Sequence, residues 1–238
     1  MVERRVRRSR SRENQLLARL PRRARVALLA RCTPVELAFG EVLAEPDISI
    51  RYVYFPIDSF VSLIAEADAG STLEVGLVGR EGMFGATIAL GSRSAPLHAL
   101  VQGSGLALRI TATQFRRELA ASAALRDLML RYCYVLLRQV SQIAACTHYH
   151  PVQARLARWL LMTQDRAGGA ALHLTQHFLS QMLGVRRVGV TQAASVLQAG
   201  KLIGYHRGEI IVLDRRGLEL ASCRCYSADR LYYRRTLN

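Results

Sequence analysis

The 238-residue chain lacks any run of about 18 or more predominantly apolar residues free of strongly polar groups, so no transmembrane helix is expected. Its first residues carry no apolar core of the signal-peptide kind, and a cytoplasmic location is expected. Cysteine is sparse and odd in number: Cys32, Cys133, Cys146, Cys223 and Cys225 are spread widely and make no secreted disulfide framework. Cys223-Arg224-Cys225 and the group Cys146, His148, His150 are the nearest approach to metal ligands. Neither has three or four donors at an established spacing, so no metal is expected. No Gly-Lys-Ser/Thr phosphate loop, nucleophile elbow or HExxH helix is present. Residues 35–110 hold one histidine, His98, too few for the clustered ligands of a metal-dependent barrel enzyme. Catalysis is therefore not expected.

What the chain has in abundance is positive charge, unevenly placed. The net +15 divides into +9 over residues 1–31, −2 over 32–150 and +8 over 151–238. A near-neutral middle between two basic ends suggests that the ends meet a polyanion, most simply double-stranded DNA. With 50% hydrophobic residues, wholesale disorder is excluded. The arginine-rich start, residues 1–13, has no apolar periodicity and reads as a solvated, disordered basic arm.

From Asn14 to Arg31 two short amphipathic pieces are split at Pro21. Between Val35 and Ile110 the hydrophobic period is two and turn residues recur every few positions. VELAF, EVLA, YVYFPI, FVSLIAEA, TLEVGLVG, PLHALVQ and LALRI read as the strands of a β jelly roll. Thr111 and Gln114 have the spacing of a capping box. A long helix is then predicted from Ser122 to Cys146. Its stripe of Leu125, Leu128, Met129, Tyr132, Val135, Leu136, Val140 and Ile143 is expected to pair with a second copy in a homodimer, although packing on its own barrel is the other use of such a stripe. Thr147-His148-Tyr149-His150 reads as a hinge, and Pro151 opens a further helix over 151–165.

Thr175 is placed to cap a helix beginning at Gln176, with Leu174 and Leu179 as its hydrophobic staple and Gly184 as its stop. A second helix from Arg186 puts Val190, Ala193, Ala194 and Leu197 on one face, with Arg187, Thr191, Gln192 and Ser195 on or beside the other. Gly200 ends it. Strands from Leu202 to His206 and Glu209 to Leu213 follow, turned at Arg207-Gly208. This is a winged helix-turn-helix pattern whose second helix would enter the major groove. The expected architecture is α+β: a jelly-roll domain over 14–120, a dimerisation helix over 121–147 and a DNA-binding domain over 148–238.

NQLLARLP, EVLAEPD, YVYFP, VGREGMFG, VQARLARWLL, LTQHFLSQMLGVRR and KLIGYHRGEIIVLD, in that order, resemble the cyclic-AMP receptor protein and fumarate–nitrate reductase regulator family, in the subset with a degenerate cyclic-nucleotide-binding-like sensor. The resemblance implies a homodimeric transcription regulator, with RNA polymerase among its partners. It implies that Arg187, Val188 and Gln192 read bases; Arg187 suits guanine, Gln192 adenine, and Val188 only a thymine methyl. Thr175, Gln176, Arg186, Thr191, Ser195, Lys201 and Arg207 are candidates for holding the DNA backbone. In the sensor, Gly85 matches the family's nucleotide cassette, Ala86 replaces its Glu, and Arg93-Ser94 fall two positions before its Arg-Ser pair. Gly85, Arg93 and Ser94 are thus the candidate effector pocket, and cyclic AMP is not the expected effector. The family's iron–sulfur sensors take most of their cysteines near the N-terminus, where only Cys32 lies, so no cluster is expected. Two alternatives stand beside this reading. One is a cyclic-nucleotide-dependent regulator of the same family. The other is an interaction module whose basic arm binds acidic partners or a membrane surface.

Overall fold

The computed structural model describes residues 13–67, 70–167, 172–206 and 208–237. The basic arm, apart from Glu13, and Arg207 lie outside the described residues. Asn14, fully buried, starts the ordered chain: its amide donates to the carbonyls of Pro56 and Gly82 at 2.9 Å each, and its Oδ1 accepts from the Leu17 N–H at 3.0 Å. The short turn that follows seats Leu16, Leu17 and Leu20 in the core, and Pro21 stands just before α1 (Arg22–Leu29).

The period-two segments form seven strands: β1 (Thr33–Leu37), β2 (Val42–Ala44), β3 (Tyr52–Pro56), β4 (Phe60–Glu66), β5 (Thr72–Val78), β6 (His98–Gly103) and β7 (Gly105–Thr111). They make two antiparallel sheets, ordered β1-β7-β3 and β2-β6-β4-β5. The consecutive strands β6 and β7 lie in different sheets, as in a jelly-roll sandwich. Phe55, Val61, Val101, Ala107 and Ile110 fill the space between the sheets, and Phe115 of α2 (Ala112–Ala121) closes it. Thr111 accepts from the Gln114 N–H at 3.2 Å and donates to the Gln114 side chain at 2.8 Å. The N-cap half of the expected capping box is formed, while the Gln114 side chain accepts from the Thr111 hydroxyl.

Helix α3 runs from Ala123 to Tyr149, capped by the Ser122 hydroxyl on the Leu125 N–H. Here one expectation is corrected. Leu125, Leu128, Met129, Tyr132 and Val135 are buried in their own chain, against the sandwich and a C-terminal helix, and Ile143 is buried as well. The Tyr132 hydroxyl receives the Met83 N–H at 3.2 Å. It occupies the place of a side chain at Gly82, where a Cβ would lie 2.2 Å from that oxygen, so only glycine fits this part of VGREGMFG. Leu136, Leu137 and Val140 line a cavity of the sensor. The stripe of period 3.5 is real, but its partner for most of its length is the barrel.

The C-terminal part contains α4 (Val152–Ala167), β8 (Leu172–His173), α5 (Gln176–Leu183), α6 (Arg187–Ala199), β9 (Ile203–His206), β10 (Glu209–Val212), α7 (Arg215–Ala221) and α8 (Cys225–Leu237). The small sheet has the order β8-β10-β9. Leu156, Leu160, Leu179, Leu183, Val190, Ala194, Leu197 and Ile210 make a second core. Helix α8 leaves that core and lies along α3, with Leu237 buried in the first core and Tyr232 and Tyr233 packed against it. Asp229 of α8 pairs with Arg158 of α4 at 2.5 Å, both buried. The boundary expected at 148 thus separates neither the chain nor its packing cleanly, because the last helix returns to the sensor.

Candidate nucleic-acid interface

The Thr175 hydroxyl accepts from the Phe178 N–H at 3.1 Å and opens α5, and Gly184, at φ +60°, ends it in the left-handed conformation. Helix α6 begins after Arg186. Val190, Ala193, Ala194 and Leu197 are buried against α4 and α5, which fixes the helix's rotation. The opposite face, Arg187, Val188, Thr191, Gln192 and Ser195, is exposed, and Val188 is 65% accessible. An apolar side chain held this open is left uncovered by the described residues.

Two of these exposed positions, Thr191 and Ser195, share one surface with neighbouring elements. Thr175, Gln176, Thr191, Ser195, Tyr205 and Gly208 line a single open groove between the start of α5, the body of α6 and the wing. The Thr191 hydroxyl lies 3.1 Å from both Gln176 Oε1 and the Arg187 carbonyl. Arg186 makes no side-chain cap on α6, and no acidic residue stands in that first turn. The start of α6 therefore carries the positive end of the helix dipole together with two arginines and no offsetting carboxylate. Lys201 lies apart, in the turn past the far end of α6, whose span from Arg187 to Ala199 is about 18 Å at 1.5 Å per residue. It is exposed and takes φ +54° in the turn toward β9.

The sensor's candidate pocket divides. Gly85 lines a cavity of about 260 Å³ with Ile50, Leu63, Met83, Leu97, Leu136 and Val140. Arg93 and Ser94 do not line it. Arg93 is exposed, and its carbonyl accepts from Ile50, while Ser94 bridges to Ser49. The expectation that Arg93 and Ser94 serve this pocket is corrected: the strand pairing of residues 92–95 with 47–50 turns them away. Among the described residues the cavity wall bears no cation, and a cyclic phosphate would lose its charge partner there.

Polar contacts join the two domains, and sequence reasoning missed them. Glu74 of β5 is buried, receives the Trp159 indole N–H at 3.0 Å, and lies 2.7 Å from the Ser62 hydroxyl. Burial pushes its carboxyl up to about 7, against the pull of Ser62, Arg166, Trp159 and Arg158. Arg166, near the end of α4, pairs with Glu81 at 2.5 Å and donates to the Leu77 carbonyl at 3.0 Å. Thr72 and Leu73 meet the end of α5. The strand alternation held one signal: Glu74 shares a strand face with Gly76 and Val78, which are buried.

Residues 154–221 match the family model of the Crp-like helix-turn-helix domain. No curated protein sequence matches the chain. Among solved structures, FixK2 from Bradyrhizobium japonicum is 16% identical, with a TM-score of 0.67 over 81% of this chain and 98% of its own. The c-di-GMP responsive global regulator CLP from Xanthomonas campestris is 16% identical, with a TM-score of 0.64 over 82% and 100%. A transcriptional regulator of the CRP family from Thermus thermophilus is 18% identical, with a TM-score of 0.64 over 81% and 96%. The chain thus has the fold of the Crp/Fnr regulators and carries a Crp-like helix-turn-helix domain.

Proposed function

We propose that this Crp-like helix-turn-helix protein is a homodimeric, sequence-specific DNA-binding transcription regulator of the cytoplasm that acts by binding rather than by catalysis. The observation that carries the reading is the exposed, basic start of α6 beside a polar groove that leads to the wing. Arg187, Val188 and Gln192 read base edges, while Thr175, Gln176, Arg186, Thr191 and Ser195 hold phosphates on either side. Lys201 and Arg207 extend the backbone contacts. Two recognition helices set about 34 Å apart would meet successive major grooves of an inverted repeat.

A second copy fits a face of α3 other than the stripe used by the barrel. Leu130, Tyr134, Leu137, Ser141 and Ala144 are all exposed and recur at alternating steps of four and three. That is the period of a two-stranded seam, and Leu137 at 63% exposure is the most open of its three large side chains. RNA polymerase is the partner through which such a dimer would act on transcription. The sensor would answer an effector of apolar character, since its cavity is walled by apolar side chains. The reading needs neither cyclic AMP nor an iron–sulfur cluster.

Gel shifts against binding sites selected from random duplexes test it. Arg187→Ala is expected to weaken the selected site by about 1–3 kcal/mol and to relax preference at one base pair. Removal of residues 1–12 should weaken all sequences alike. If the truncation abolishes binding while Arg187→Ala leaves site preference intact, the protein is instead an interaction module built on its basic arm.

A further inference from the structure

At the joint between α3 and α4 four metal-binding side chains converge. Cys146 lies in the last turn of α3, His150 is its C-cap, and Cys223 and Cys225 flank Arg224 where α7 gives way to α8. Their sulfur and ring-nitrogen atoms all lie within 4.8 Å of one another. Cys146 Sγ is 3.5 Å from Cys223 Sγ, and Cys225 Sγ is 3.6 Å from His150 Nδ1. Zinc bonds of about 2.3 Å to sulfur and about 2.0–2.1 Å to nitrogen, opened to the tetrahedral angle, put two sulfurs about 3.8 Å apart and a sulfur and a nitrogen about 3.6 Å apart. Two of that tetrahedron's six edges are already near these lengths, and the other donor pairs lie within 4.8 Å. We propose that Cys146, His150, Cys223 and Cys225 bind one zinc ion in a closed site that fastens the α3–α4 hinge to the turn between α7 and α8.

The surroundings support a metal over other uses of three thiols. The cysteines are buried and form a small cluster of their own, with Ala154 beside it, apart from both main cores. Gln142, one turn before Cys146, donates to Cys225 Sγ at 3.0 Å, as an outer partner orients a ligand. Three thiolates and Zn²⁺ leave one negative charge, and Arg155 and Arg158 line the same small cavity as Cys146. A Cys146–Cys223 disulfide would need the sulfurs to close to about 2.05 Å and would leave Cys225 and His150 converging on nothing. An iron–sulfur cluster needs ligands spread around several irons, and a span of 4.8 Å is too small for that body. With four protein donors no position remains open, so the site is structural. Its ligands sit 77 residues apart, from Cys146 to Cys223, which is why neither short grouping is recognisable along the chain.

Full-length protein purified without chelator should hold about one zinc per chain by mass spectrometric metal analysis, the complement of one closed site. Cobalt(II) in its place should give the ligand-field bands of a tetrahedral site together with thiolate-to-cobalt charge transfer. Cys223→Ser with Cys225→Ser should lose the metal, whereas Cys32→Ser with Cys133→Ser should keep it. Gln142→Ala should weaken zinc about 10-fold. If the Cys223/Cys225 variant does not fold, the cobalt spectrum of the unaltered chain decides alone. Each of four results overturns the proposal: folded protein that binds neither zinc nor cobalt, metal retained by the Cys223/Cys225 variant, an octahedral cobalt spectrum, or a Cys146–Cys223 disulfide in protein purified without oxygen.

Discussion

A single hydroxyl proton links Glu74, at the domain joint, to Gln102 inside the sensor sheet. Ser62 Oγ lies 2.7 Å from Glu74 Oε2 and 2.6 Å from Gln102 Oε1, and it can donate to only one of them. With Glu74 protonated, the chain runs from Glu74 to Ser62 to Gln102. With Glu74 ionised, the Gln102 amide must turn over so that its nitrogen, otherwise buried without a partner, donates to Ser62. The carboxyl is raised from 4.5 to about 7 in the folded chain, so between those values the native state holds a proton that the unfolded chain releases. Stability is therefore greatest below the window, falls as pH rises through it by at most about 3 kcal/mol, and levels off above about 7. Thermal unfolding from pH 4.5 to 7.5 should show this fall, and Glu74→Gln should flatten it. An unchanged slope in the variant would assign the dependence to other groups.

Two elements carry predictions of opposite kinds. On α3, Leu128 faces the barrel and Leu137 faces solvent. Leu128→Ala should lower stability by about 2–5 kcal/mol with the oligomeric state unchanged. Leu137→Asp should leave stability nearly alone and shift sedimentation toward monomer, because a charge in a two-stranded seam must be desolvated. A dimer that survives Leu137→Asp would place the seam elsewhere. On α5, Thr175→Ala removes a formed cap and should destabilise the C-terminal domain by about 1 kcal/mol in denaturant titration. The caps at Thr111 and Thr175 were legible because a cap is a contact over three residues. The burial of the α3 stripe was not, since the same period serves a barrel or a second helix equally well.

At the scale of the whole molecule, charge predicts salt behaviour. A dimer neutralising about 8–10 phosphates should show a log affinity against log salt slope of about −7 to −9, and removal of residues 1–12 should make it shallower. The apolar sensor cavity predicts that cyclic AMP produces no binding heat in titration calorimetry, and saturable binding in the micromolar range or tighter would refute that. The amino-acid sequence by itself determined the order of jelly roll, long helix and winged helix, and the rotation of α6 that exposes Arg187, Val188 and Gln192. Those features follow from hydrophobic period, caps and glycine stops, which act over a few residues. Only the tertiary structure decided which face of α3 the barrel consumes, that Arg93 and Ser94 turn away from the cavity Gly85 lines, and that α8 returns to α3. It alone brings Cys146 and His150 to Cys223 and Cys225, because contacts between distant segments depend on how the two cores pack, and no local pattern encodes that.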